Sequence, residues 1–118
     1  MKIELTKQHR GGSDSTTFSG RPEGEDVRKI LDLDKRDKEE EIHQVVIPND
    51  TTSFNPSFFL GLFYASVKFF NSVEKFRAKY QFDFSNFDND ELREYMKIDL
   101  EDNCQRCSDE LNKITGLD

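Results

Sequence analysis

The 118-residue chain is long enough for one domain with a single hydrophobic core and too short for two. Its net charge of −7 argues against a general nucleic-acid binder, which needs cations to release phosphate counterions. The same charge argues against docking on an anionic membrane surface.

The start of the chain and its two cysteines favour a reduced, cytoplasmic protein. Residues 1–10 lack the apolar run of a secretory signal, and two cysteines without an export signal are typical of a reducing compartment. We expect a single domain over residues 1–118, with an α/β core in residues 1–87 and a C-terminal helical segment in residues 88–115.

The first third of the chain predicts a strand, a loop, a short helix and a connector. Alternating residues predict a strand over Met1–Thr6, and the Gly/Ser/Thr-rich segment Gln8–Thr17 is typical of a mobile loop. We expect Phe18 to tuck under that loop. Helical spacing of apolar residues predicts a short helix over Asp26–Leu33, and the mixed-sign charges of Asp34–Glu41 favour a solvated connector.

A strand and a buried helix are predicted in the middle of the chain. The β-branched run within Ile42–Asp50 predicts a strand that ends in a turn. Asn55 and Pro56 are typical of a helix start, and the aromatic segment Ser57–Phe70 that follows is apolar almost all round. A bilayer span needs about 20 apolar residues, so this shorter segment, interrupted by Lys68, is interpreted as a core helix.

The last third of the chain predicts a further strand and a long helix. Alternation of Tyr80, Phe82 and Phe84 predicts the strand, and apolar residues stepping by three or four predict an amphipathic helix, or two in near register, over Asn89–Thr115. The elements together indicate an α/β fold, in which helices pack on a small mixed sheet with at least one right-handed crossover.

The two cysteines, Cys104 and Cys107, have the spacing of a redox site or half of a zinc site. However, the sequence contains no second CxxC or HxxxH to complete a tetrahedral zinc site. Both cysteines fall on the apolar side of the predicted helix, so we interpret them as buried structural residues. We assign no metal ligand, no cofactor and no catalytic residue.

A glycine-rich segment before the first helix is a candidate anion site. Gly20 and Gly24 bracket a turn that also carries Arg21, and Arg28 lies in the following helix. Backbone N–H groups at such a helix start can bind an anion, and the arginines would add positive charge. Three acidic residues in the same segment would repel phosphate, which favours the alternative of a capped turn with Arg21 paired to a carboxylate.

A hydroxyl cluster at the predicted strand-to-helix turn is a candidate regulatory site. It comprises Thr51, Thr52, Ser53 and Ser57. A phosphate added at a helix N-terminus meets the positive end of the helix dipole and can change an interaction surface. Helix capping and turn formation alone also account for the presence of these residues.

Two motifs together resemble a known family. The pattern FSGR-x-x-G-x-x-V-R occurs at Phe18–Arg28, and SFxxGLF occurs at Ser57–Phe63. These motifs, with Glu74–Phe82 and the acidic/hydroxyl turn before a Leu-Gly helix at Asp50–Gly61, resemble the STAS-like family of small bacterial proteins, related to STAS domains. The resemblance covers residues 17–84.

The resemblance implies a regulatory interaction module rather than an enzyme. STAS domains of the anti-sigma-factor antagonist type bind a histidine-kinase-like ATPase, and phosphorylation of a serine at the helix N-terminus releases it. That serine would be Ser57, or Ser53 if the turn is longer, although this chain has Asn-Pro-Ser where regulated STAS domains have Asp-Ser-Ser or Asp-Ser-Thr. The implied partner surface comprises Asp50, Thr51, Thr52 and Asn55.

Two further possibilities stay open at this point. The chain could instead be an anion or nucleotide sensor, or a small enzyme, that uses Gly20, Arg21, Gly24 and Arg28. Homodimerisation through the C-terminal helix is compatible with either function, because a long amphipathic helix must bury its apolar stripe somewhere.

Overall fold

A computed structural model describes residues 2–11 and 14–114 of the chain. Within these ranges the strands are β1 (Lys2–Glu4), β2 (Thr17–Phe18), β3 (His43–Val46), β4 (Ser53–Phe54) and β5 (Tyr80–Asp83). The helices are α1 (Arg21–Ile30), α2 (Leu33–Asp37), α3 (Pro56–Phe70), α4 (Val73–Lys79) and α5 (Asp90–Ile114), and a 3₁₀ helix over Lys7–Arg10 follows β1.

The described strands form two small parallel sheets. One has three strands in the order β1-β3-β5, and the other pairs β2 with β4. Helices lie in the connections between β1, β3 and β5, which allows each strand to run in the same direction. The predicted α/β class is confirmed. The sequence suggested one mixed sheet, whereas the described strand pairings are all parallel and form two sheets.

Helix α3 lies at the centre of the core. The Asn55 side chain accepts a hydrogen bond from the Ser57 N–H, and Pro56 occupies the first turn, as the sequence predicts. The helix ends at Phe70 and is capped by Asn71, which adopts the left-handed conformation with a φ of 55°. The interpretation of the aromatic segment as a core helix is confirmed, because its side chains pack inward with at most 1% exposure at Phe58, Phe59, Leu62, Phe63 and Val67.

Helices α1 and α3 cross where both lack a side chain. A Cβ atom at Gly24 would lie 2.2 Å from the carbonyl oxygen of Phe58, and one at Gly61 would lie 2.2 Å from that of Arg21. Both distances are far inside van der Waals contact. The two glycines therefore allow the backbones of the helices to approach each other directly.

The C-terminal helix α5 is continuous over 25 residues and belongs to the same core. Its apolar stripe is buried against the rest of the chain at Met96, Leu100, Cys104, Cys107 and Leu111. The predicted amphipathic helix is confirmed. Because that stripe is already covered, a homodimer would have to use another surface of the chain.

Helix α5 also closes one edge of the smaller sheet. The Phe54 N–H donates to Asp99 Oδ2 at 2.8 Å, and the Phe54 carbonyl oxygen accepts from Asn103 Nδ2 at 3.1 Å. A carboxylate and an amide four residues apart on one helix face thus replace the donor and acceptor of a missing strand.

Two segments that were expected to be open are packed. Asp34–Glu41, predicted as a solvated connector, instead contributes Asp37 of α2 to the interior with 4% exposure. Gln8–Thr17, predicted as a mobile loop, places Arg10 in the interior, while Gly12 and Ser13 lie outside the described residues. Both predictions were wrong at these positions because the charged side chain there hydrogen-bonds to residues 29 or more positions away in the sequence.

Two boundaries near the N-terminus also differ from the predictions. The helix expected over Asp26–Leu33 begins at Arg21 and ends at Ile30, and the left-handed Asp32 separates it from α2. Phe18 is fully buried in the core, with its ring stacked on that of Phe54 at a centroid distance of 4.4 Å.

Substitution of Gly61 by alanine is expected to destabilise the fold. Overpacking costs roughly 1–3 kcal/mol, whereas alanine in an ordinary helix interior is more stable than glycine by about 0.5–1 kcal/mol. Urea unfolding followed by circular dichroism measures the difference. The control is Ala65→Gly on the exposed face of α3, which should destabilise by about 0.5–1 kcal/mol. An increase in the stability of Gly61→Ala would contradict the close helix crossing.

Candidate functional site

A buried ionic network lies where α1, α2, α3 and β5 meet. Arg28 donates through Nη1 to the Leu62 carbonyl oxygen at 2.9 Å and to Ser66 Oγ at 2.8 Å. Through Nη2 it donates to Asp34 Oδ1 at 2.7 Å and to Asp37 Oδ2 at 2.8 Å. The guanidinium is therefore occupied by groups of the protein itself on both of its Nη atoms.

The other oxygen of Asp37 completes the network. Asp37 Oδ1 accepts from the Tyr80 hydroxyl at 2.6 Å and from Ser66 Oγ at 2.7 Å. Burial, followed by the hydrogen bond to Asp37, raises the pKa of Tyr80 far above its usual value. Tyr80 thus remains a neutral donor, and the cluster is a closed structural unit that ties one strand to three helices.

The structure does not bring the candidate anion-binding residues together as a ligand site. Gly24 contacts α3, and Gly20 is the N-cap of α1 with a φ of 92°. Arg28 is buried in the network, whereas Arg21 is exposed. A surface groove of about 470 Å³ lies outside Arg28. Its other lining residues are three acidic, one basic and one apolar, namely Glu25, Asp32, Asp34, Lys29 and Leu33.

The second candidate region begins at Asp50, whose side chain is exposed. Its backbone is left-handed, with a φ of 68°, and its carboxylate lies 3.8 Å from Lys7 Nζ. The next residue, Thr51, is fully buried and therefore does not lie on the predicted partner surface. Its hydroxyl donates to the Pro48 carbonyl oxygen at 2.7 Å and accepts from Arg10 Nη1 at 2.9 Å.

Threonine and serine hydroxyls form a hydrogen-bonded row across the smaller sheet. Thr52 Oγ1 donates to Thr16 Oγ1 at 2.9 Å, and Ser53 Oγ donates to Thr17 Oγ1 at 3.2 Å. Thr52 is exposed and Ser53 is half-buried. The sequence indicated the hydroxyls of the turn but gave no sign that Thr16 and Thr17 would lie beside them.

The start of α3 lies next along the chain. Asn55 and Ser57 are both exposed, and Ser57 is the second residue of a 15-residue helix. Its hydroxyl therefore lies at the positive end of the α3 dipole. The structure brings Asp50, Thr52, Asn55 and Ser57 to the surface within one short segment, and we name these four residues, together with Ser53, the recognition face.

The two cysteines are free and buried, as interpreted from the sequence. Burial raises the pKa of Cys104 to about 11 and that of Cys107 to about 12. Both are therefore protonated thiols at neutral pH. Within residues 2–11 and 14–114, no group of three or more His, Cys, Asp or Glu side chains is placed to hold a metal ion.

Comparisons with known proteins give no family for the chain. No protein-family model matches it, and neither a curated protein nor a solved structure does so. The STAS-like resemblance therefore stays a prediction that rests on the sequence motifs. Among the described helices, none is both long and apolar enough to cross a lipid bilayer.

Asp37→Asn and Asp34→Asn are expected to differ sharply in stability. Both carboxylates contact Arg28 Nη2, but the Asp37 side chain is 3% exposed and the Asp34 side chain is 83% exposed. Loss of the buried partner should cost about 3 kcal/mol or more, and loss of the exposed one about 1 kcal/mol or less. Urea unfolding of both variants measures this difference, and equal losses would contradict a structural role for the buried pair.

The cysteines are expected to resist alkylation while the chain is folded. At pH 8, iodoacetamide should modify neither thiol in buffer and both in concentrated urea, as read by mass spectrometry. Because both folded pKa values are raised from 9.0, their stability contributions are fully present below about pH 9 and are lost as the pH rises towards 11 and 12. Rapid alkylation of the folded chain at pH 8 would contradict this placement.

Proposed function

We propose that the chain is a non-enzymatic regulatory module of STAS-like type that binds a protein partner through the recognition face. The observation that carries the proposal is the exposure of Ser57 in the first turn of α3. The two residues that follow it, Phe58 and Phe59, are fully buried. A partner would therefore meet the Ser57 hydroxyl on a helix that the core holds in place.

Phosphorylation of Ser57 is the proposed switch. A phosphoserine carries a charge of about −1.5 to −2 at neutral pH and three strong acceptor oxygens. At the N-terminus of α3 this charge is stabilised by the helix dipole, so the modification would not unfold the helix. It would, however, replace a small neutral hydroxyl on the recognition face with a large anion, which changes the fit of any docked partner.

Asp50 supplies a further point of recognition. Its exposed carboxylate lies 3.8 Å from Lys7 Nζ and also interacts electrostatically with Arg10. Exposed ion pairs contribute about 0–1 kcal/mol, so a cationic group of a partner can replace Lys7 at little cost. The resemblance to STAS domains suggests a histidine-kinase-like ATPase or another cytoplasmic regulator as that partner.

The competing hypothesis of an anion or nucleotide sensor, or a small enzyme, draws less support from the geometry. Such a site would need Arg21 and Arg28 to converge on a ligand beside the glycines. Arg28 instead binds two carboxylates, a hydroxyl and a backbone carbonyl oxygen within the chain. Gly24 is likewise used for helix packing.

Ser57→Glu is expected to release a partner that the wild-type chain captures from its native host. Tagged wild type, Ser57→Glu and Ser57→Ala would be used in parallel pull-downs read by quantitative mass spectrometry, with a phosphopeptide map from the same cells. The proposal predicts a regulator, such as a kinase-like ATPase, that is retained by Ser57→Ala and lost with Ser57→Glu. The phosphopeptide map should contain phosphorylated Ser57.

The matched control is Ala65→Glu, which adds one negative charge on the exposed face of the same helix, more than two turns beyond Ser57. Capture should be unchanged in this variant. Equal capture by wild type and Ser57→Glu, or equal loss in Ala65→Glu, would contradict a specific role for Ser57.

A further inference from the structure

The edge strands of the two sheets differ in whether helix side chains pair with their backbone. On the smaller sheet, Asp99 and Asn103 of α5 pair with the backbone of Phe54 and block its outer edge. On the larger sheet, β5 is an edge strand whose only strand partner in the described chain is β3. An edge strand presents backbone donors and acceptors to which another extended segment can add.

The backbone of Phe82 provides these groups at the middle of β5. The Ile47 N–H donates to the Asp83 carbonyl oxygen at 3.0 Å, so Asp83 directs its backbone towards β3. Backbone groups alternate in direction along a strand, and Phe82 therefore directs its N–H and C=O to the open edge. In the described part of the chain, no side chain caps them as Asp99 and Asn103 cap those of Phe54.

An apolar groove of about 250 Å³ lies beside this open edge, between β5 and the helices α4 and α5. Its apolar walls are Phe82, Phe84, Leu100 and Cys104, and charged side chains of Arg77, Lys97 and Glu101 complete the lining. The volume is below the roughly 300–1,000 Å³ typical of small-molecule sites. It therefore suits a single inserted side chain better than a whole small molecule.

The charges of the groove favour an acidic residue next to the inserted side chain. Two cations line the groove against one carboxylate, in a chain whose net charge is −7. Arg77 pairs with Glu101 at 2.7 Å, and Lys97 pairs with Glu94 at 3.3 Å. All four side chains are 47–67% exposed, so these pairs are weak and a carboxylate of a partner can share either cation.

We propose that the open edge of β5 binds an extended peptide segment of a partner protein, which carries one apolar side chain and a neighbouring acidic side chain. The peptide backbone pairs with the N–H and C=O of Phe82. The apolar side chain occupies the groove, and the acidic side chain pairs with Lys97 or Arg77. This mode of strand addition combines backbone hydrogen bonds for affinity with a side-chain pocket for specificity, and it is independent of the recognition face.

The test is a screen of phage-displayed linear heptapeptides against the purified full chain. Enriched peptides are expected to carry an apolar residue flanked by an acidic one. Titration of a synthetic hit into ¹⁵N-labelled protein should shift the amides of Phe82–Phe84 and Leu100–Cys104. Methylation of one peptide nitrogen at a time should weaken binding about tenfold or more only at two kinds of position. These are the positions whose N–H donates to β5 and those whose nitrogen lies against β5.

A charge reversal with a matched control tests the specificity of the groove. Lys97→Glu should weaken binding of the hit about tenfold, whereas Lys75→Glu, an exposed residue of α4 that does not line the groove, should leave it unchanged. The proposal is overturned if no peptide is enriched, if every N-methylated peptide binds equally well, or if the shifts fall elsewhere. Saturation of the same groove by hexanoate with equal affinity would assign it to small apolar acids instead.

Discussion

The direct approach of α1 to α3 at Gly24 and Gly61 is the constraint on which the rest of the structure depends. It brings Arg28, one turn beyond Gly24, to the carbonyl oxygen of Leu62 and the hydroxyl of Ser66. A guanidinium at that depth requires carboxylates, and Asp37 supplies one because α2 folds back against α3. The glycine contact thereby determines where the following segment must lie.

As a result, the residues that stabilise the fold and the residues proposed to bind a partner lie in different segments of the chain. The residues with the chemistry of a ligand site, the glycines and Arg28, hold the helices together. The exposed polar residues of the proposed recognition face lie in the segment from Asp50 to Ser57, where β4 leads into α3. Loops and element ends supported by a packed core commonly carry binding function, so the proposed module uses a buried central helix to present an exposed hydroxyl.

Regular patterns in the sequence predicted β1, β3, β5, α3 and α5. Most of what they missed depends on long-range pairing, although α4, which has a local cap at Ser72, was also not predicted. Asn55, Pro56 and the aromatic run predicted α3, because capping and burial are local properties. The charges of Asp34–Glu41 suggested solvent exposure, since nothing local shows that Asp37 meets Arg28 and Tyr80. The strand β4 was also missed, because its two residues are paired only through β2 and α5.

Thermal unfolding of the wild-type chain in increasing concentrations of ATP and of inorganic phosphate tests the central claim most directly. Binding to the folded state raises the melting temperature with ligand concentration. The account predicts the same response in wild type and Arg21→Ala, because the buried arginine and glycines of α1 are engaged within the fold and general stabilisation by phosphate does not depend on Arg21. A concentration-dependent rise that is lost in Arg21→Ala would show that the glycine and arginine segment binds anions, and would contradict the assignment of function to the recognition face.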